Sequence, residues 1–306
     1  MYVVLGATGN TGKIVAETLL SKGEKVRGVG RSKDRLSAIG VEPFVAEQTD
    51  SAALTRAFEG ARAVYFMVAP NVGSPDYRGF QSQAADAAAI ALEAAKVRYT
   101  VTLSSYGAQH ASGCGPISGL HPVEERLNRV PGLNALHLRA GYFMENTLPQ
   151  IDAIKNFGVM VGPVKPDAVL PMIATKDIGA AAADALFKLD FSGHETRELQ
   201  GQRDLNYAEV AKIIGAAIGK PDLAYMVAPR EQVIPVLQGI GFSQNFTHIF
   251  LEMCDAINDG RVVGLEPRSA RNTTPTSFET FVRDVLVPAY RGQAVAASSF
   301  LTAKTQ

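Results

Sequence analysis

The sequence predicts an α/β fold: a doubly wound parallel sheet followed by a smaller α+β lobe. Three observations carry that expectation. Short apolar runs recur through the first half, at 2–5, 25–29, 41–46, 63–68, 99–104 and 134–138, with helix-like segments between them. Strands alternating with helices are the pattern of a parallel sheet, and ligands bind such sheets at the carboxyl ends of the strands. Three glycines, Gly6, Gly9 and Gly12, stand between the first run and the first helix. Beyond about residue 145 the alternation loosens, so a smaller lobe is expected there.

The first unit justifies the rest. Residues 2–5 (YVVL) are a short apolar run suited to a buried parallel strand. Ile14, Val15, Thr18 and Leu19 then recur at helical spacing, Lys22-Gly23 closes the helix, and 25–29 returns as a strand. A side chain at Gly6 or Gly9 would keep a pyrophosphate away from the N–H groups and positive dipole end of that helix. Gly12 lets the helix pack closely on the strand. An ordinary strand-to-helix turn is the alternative, but a strand on either side makes this a Rossmann-type dinucleotide-binding unit. Gly6, Thr8, Gly9, Asn10, Thr11 and Gly12 are the candidate cofactor contacts. The spacing is G-x-x-G-x-x-G, and G-A-T-G-N-T-G resembles the NmrA-like branch of the short-chain dehydrogenase/reductase superfamily.

The second strand leads into Gly30-Arg31-Ser32-Lys33, with no carboxylate before Asp34. An NAD site places an acidic residue there for the ribose 2′-OH. Arg31 and Lys33 suit a 2′-phosphate instead, so NADP(H) is expected over NAD(H); solvated charges opening a helix are the plain alternative. After the strand at 41–46, Gln48 falls where adenine would lie, or in a simple capped loop. Asp50 caps a helix over 51–58. The strand at 63–68 ends in Val68-Ala69-Pro70, a rigid small-residue loop able to approach the ribose or nicotinamide, or a plain turn. An alanine-rich helix follows over 81–95.

The strand at 99–104 ends in Ser104-Ser105-Tyr106-Gly107. In the superfamily a serine here polarises a substrate carbonyl, and Tyr-x-x-x-Lys on the next helix supplies the proton. That pair is absent: the helix opens Leu120-His121-Pro122-Val123-Glu124-Glu125. The NmrA-like branch commonly departs in this way, and His121 falls near where its members often carry a lysine. Ser104 is a candidate cofactor contact, and His121 and Tyr106 are the candidate catalytic residues. His121 bonding a local backbone group is the alternative. The next strand, 134–138, runs into R-A-G-Y-F-M-E-N at 139–146, which resembles the R-P-x-x-F-x-x-N segment of the branch. Phe143 and Asn146 are candidates for a substrate-pocket wall with Tyr106, or else a core phenylalanine and a helix-surface asparagine.

Residues 158–167 read as a loop or short edge strand, and T-K-D-I-G opens an alanine-rich helix through 189, another segment like the family. Strand, helix and strand are expected at 198–201, 206–218 and 223–227, and helices at 242–258 and 277–287. The expected division is a dinucleotide-binding domain over 1–145 that also receives 170–190, a substrate lobe over 146–290, and a loose tail over 291–306. The resemblance spans about 1–290.

Thirty basic residues balance thirty acidic ones, which argues against nucleic acid or an anionic membrane as partner. Cys114 and Cys254 are far apart and lack metal-ligand spacing. With no apolar leader at the N-terminus, the expected location is cytoplasmic. The resemblance implies hydride transfer from NADPH to a quinone or conjugated dye, whose ring delocalises charge and needs no strong acid at its carbonyl. The alternative, which the missing Tyr–Lys pair also fits, is a non-catalytic redox sensor acting through a regulatory protein. A second copy of the chain remains open as a partner.

Overall fold

A computed structural model describes residues 1–295; residues 296–306 of the expected tail lie outside the described residues. The first half runs β1 (Tyr2–Leu5), α1 (Asn10–Ser21), β2 (Val26–Gly30), α2 (Lys33–Ala38), β3 (Glu42–Val45) and α3 (Ser51–Phe58). It continues with β4 (Ala63–Met67), α4 (Tyr77–Ala94), β5 (Tyr99–Ser105), α5 (Leu120–Asn128) and β6 (Asn134–Ala140). Then come β7 (Tyr142–Phe143), α6 (Gln150–Phe157), β8 (Met160–Gly162), β9 (Met172–Ile173), α7 (Thr175–Lys188) and β10 (His194–Leu199). The chain closes with α8 (Tyr207–Ile218), β11 (Tyr225–Val227), α9 (Arg230–Gly239), α10 (Gln244–Asn258) and helical turns over 278–290.

Seven strands form one parallel sheet in the order β10-β6-β5-β4-β1-β2-β3. The order reverses between β1 and β4, which opens the crevice where this architecture binds ligands. Successive residues of β1 supply opposite faces. Val4 packs with Val15 and Leu19 of α1 and Ile178 and Leu186 of α7. Val3 packs with Leu54 and Phe58 of α3, Leu92 of α4 and Leu127 of α5. The lobe has its own core, in which Ile154, Val210, Ile214, Phe246, Phe250 and Phe278 gather. Two short parallel pairs, β7–β9 and β8–β11, complete it. Both cysteines are buried in the interior.

Several elements differ from the sequence reading, among them β7, α6 and β9, which it did not contain. Helix α4 begins at Tyr77 rather than 81, because the Asp76 carboxylate accepts the Gly79 N–H and caps it. The extra turn sends the Tyr77 ring into the lobe core against Phe246, 4.5 Å between centroids. Strand β10 begins at His194 rather than 198 and joins the main sheet as its edge. Its polar H-E-T-R start hides it from a search for apolar runs. Helix α9 was not expected; Pro235 lies inside it and obscures its period. The helix expected from 242 starts at Gln244, where the Ser243 hydroxyl accepts the Phe246 N–H. Among the described residues no helix is long and apolar enough to cross a membrane.

Candidate functional site

The glycine turn lies at the carboxyl end of β1. Gly6 has a positive φ of 64°, a conformation that favours glycine, and its N–H donates to the Val29 carbonyl at 2.9 Å. The Gly9 N–H donates back to the Gly6 carbonyl at 2.8 Å. A Cβ on Gly12 would collide with that same carbonyl, so only glycine lets α1 start this close. Gly9 is the N-cap of α1 and has no side chain to bond the first N–H groups. By contrast Ser32, Asp50, Asp76, Asn206 and Ser243 each cap their own helix with a side-chain oxygen. The α1 terminus therefore keeps donors and its positive dipole end for an anion. Thr8 and Asn10 are half-buried at this mouth. Thr11 is buried, and its hydroxyl oxygen accepts from the Tyr65 phenol of β4 at 2.9 Å, which anchors the turn to the sheet.

At the end of β2, Arg31 is exposed and Lys33 opens α2, also exposed. Neither carries an ion pair to another described residue. Gln48 sits otherwise than a free adenine contact would. Its amide donates to the Ala69 carbonyl and accepts the Ala69 N–H, both at 2.9 Å, clasping the loop after β3 to the loop after β4. Val68 and Ala69 are half-buried there and Pro70 is exposed.

Ser104, on β5, is buried and donates to Glu124 of α5 at 2.5 Å. Arg139 of β6 grips the same carboxylate with two bonds, at 3.0 and 2.6 Å. Burial works to raise the Glu124 pKa, but the Arg139 and Ser104 hydrogen bonds and neighbouring positive charge prevail and hold it low. His121 places Nδ1 3.1 Å from the Ala108 carbonyl and Nε2 3.4 Å from Glu125. The carbonyl can only accept, so Nδ1 carries the proton. Tyr106 follows β5 directly. Burial raises its pKa, while the Gly264 backbone hydrogen-bonds its hydroxyl and works against that rise. Phe143 packs with the α1–α7 side of the sheet. Asn146 hydrogen-bonds Tyr142, whose hydroxyl also meets that of Tyr207 at 2.9 Å. Glu145 is buried and accepts the Thr175 hydroxyl at 2.6 Å, fixing the start of α7.

Past β5 a cleft of about 340 Å³ opens, lined by Tyr106, Val169, Pro171, Val262 and Val263, with Lys165 and Asp204 among its polar residues. The sequence reading found Tyr106 but not the 165–171 and 257–263 segments, which only the fold brings to it. Glu124 and Glu198 also went unnoticed. A charged residue inside the LHLRA run of β6 was the signal that a buried carboxylate must exist for Arg139. Among the described residues no group of His, Cys, Asp or Glu could hold a metal ion.

The model of the NmrA-like family matches residues 2–282. A curated relative, (4-alkanoyl-5-oxo-2,5-dihydrofuran-3-yl)methyl phosphate reductase of Streptomyces griseus, is 32% identical over 225 residues, covering 72% of this chain and 75% of that one. Among solved structures, an NADPH-dependent quinone oxidoreductase of Escherichia coli in complex with NADPH superposes with a TM-score of 0.71 at 20% identity, covering 98% and 97% of the two chains. A Citrobacter sp. triphenylmethane reductase complexed with NADP(H) gives 0.74 at 18% identity, covering 92% and 98%.

Proposed function

Since the chain belongs to the NmrA-like family, we propose that it is a reductase that passes a hydride from NADP(H) to a quinone or related conjugated acceptor. The observation that carries this is the α1 terminus, left without a side-chain cap, together with exposed Arg31 and Lys33, which have no ion pair among the described residues. Those groups fit a pyrophosphate and a 2′-phosphate respectively. The cofactor, when bound, supplies the hydride. Gly6, Gly9 and Gly12 keep side chains away from the anion, and Val68, Ala69 and Pro70 wall the next strand end. The Gln48 clasp holds the Ala69 loop in place.

The acceptor class follows from what the strand ends lack. Ser104 is committed to Glu124, and His121 Nδ1 to the Ala108 carbonyl. Tyr106 is the phenol left beside the cleft. A quinone that takes up a hydride spreads the resulting charge over its ring and collects its proton from solvent, so positioning and exclusion of competing water dominate. The likeness to reductases whose names specify quinones, dyes and a conjugated lactone phosphate supports the same reading.

The test is loss of reduced-nicotinamide absorbance with a panel of quinones and dyes, alongside titration of NADPH and NADH. Saturable turnover is expected. Arg31→Asp should weaken NADPH about 10- to 100-fold, the scale of a lost charge-assisted hydrogen bond, and leave NADH nearly unchanged. Equal losses for both cofactors would remove the 2′-phosphate assignment. Binding without turnover on every acceptor would make the protein a redox sensor instead.

A further inference from the structure

Glu198, a carboxylate at the end of β10 that is only 2% exposed, takes no part in the proposed hydride transfer. Its two oxygens accept consecutive backbone N–H groups, Leu265 at 2.7 Å and Glu266 at 3.0 Å. Those residues belong to a strap, 261–268, that crosses the ends of β5 and β10. Further ties hold it: Gln109 donates to the Val263 carbonyl at 2.7 Å, Arg261 bonds the Gly113 carbonyl, and Arg268 bonds Asp204 and the Gly201 carbonyl. Where the strap passes over Tyr106 it has a glycine. A Cβ on Gly264 would stand 2.5 Å from both the Tyr106 hydroxyl and a Glu198 oxygen. The strap's Val262 and Val263 line the 340 Å³ cleft together with Tyr106 and the 165–171 segment.

Resting on the reductase reading, we infer that Glu198 is the positioning residue of the acceptor site: it clamps the strap onto Tyr106 and so shapes a cleft for a one- or two-ring quinone. The site's place in the sheet agrees. The candidate dinucleotide residues occupy the ends of β2, β1 and β4, and Tyr106 stands at the next strand along, β5. The volume is near the lower end for ligand sites, which suits one or two rings and crowds a three-ring dye. The carboxylate is needed because two adjacent N–H groups require two acceptor oxygens; an amide offers one and turns a donor on the other. Gly264 is needed because the strap must touch both the phenol and the carboxylate.

The experiment measures three quantities on the full chain and on Glu198→Gln and Gly264→Ala. They are the menadione dissociation constant by tyrosine quenching with NADP⁺ present, the NADPH dissociation constant, and amide exchange at Leu265 and Glu266. In Glu198→Gln, exchange at the two amides should quicken and menadione binding weaken about tenfold, with NADPH binding within about twofold. Gly264→Ala keeps the carboxylate and should lose menadione to a similar extent. Unchanged menadione binding in both variants overturns the inference. So does parallel loss of menadione and NADPH, which a merely structural role would give. Crystal violet binding the wild type as tightly as menadione overturns the size limit. If the wild type binds menadione in a Glu198-dependent way but not NADPH, the reductase reading fails and the site stands.

Discussion

Single side chains in this protein are mostly occupied by one another. The Ser104–Glu124–Arg139 cluster is the clearest case, for a serine at the strand end singled out as a candidate cofactor contact turns out to serve a buried ion pair. The sequence could not show this, because Glu124 reads as one of two adjacent helix charges and lies 20 residues from its serine. His137, also on β6, is buried and hydrogen-bonds Asn128 at 2.9 Å. Burial lowers its pKa from 6.5 to about 4 despite the attraction of Glu124. A folded pKa below the unfolded one means the unfolded chain binds more protons, so stability is lost as pH falls from 6.5 through about 4. The lowered Glu124 pKa acts in the same direction, its contribution being lost as pH falls through the folded value. Urea midpoints should therefore drop across this acid range, and His137→Gln should flatten the drop above pH 4. An unaltered profile in that variant would exclude His137 as the source.

At the level of elements, the contact between α1 and α7 connects the two halves of the chain. Gly179 of α7 lies where a Cβ would come 2.6 Å from Ile14 Cβ and 2.9 Å from the Thr11 carbonyl. Neither atom is a flexible side-chain end, so the helices must part. Gly179→Ala should cost roughly 1–3 kcal/mol, the usual scale of overpacking. NADPH affinity should fall with it, since Thr11 belongs to the turn; stability loss with intact cofactor affinity would uncouple the two. The K-D-I-G segment was recognised in the sequence by resemblance, and the packing gives its glycine a physical reason. Strands of the inner sheet were legible because burial on both faces makes them apolar runs. β10 was legible only from Glu198, since its edge start tolerates His194, Glu195 and Arg197, and α9 was not, because its proline masks the helical period. The strap over Tyr106 has no periodicity at all, and its clamp joins residues 67 apart, so nothing local announced it.

For the molecule as a whole, sheet and lobe are threaded through each other. α7 and β10 come from the second half and return to the first, Tyr77 goes the other way, and Asp177 bonds Thr276 at 2.7 Å. Unfolding should accordingly be one transition, coincident by circular dichroism and tyrosine fluorescence. NADPH at a hundred times its dissociation constant should stabilise the whole by about 2.7 kcal/mol. Two separated transitions, only one of them shifted by cofactor, would show the lobe to be independent. The interior position of both cysteines has a practical side. A thiol-reactive fluorophore finds no exposed native target among the described residues, so a cysteine introduced at exposed Leu265 would carry the label alone and report optically whenever the strap lifts.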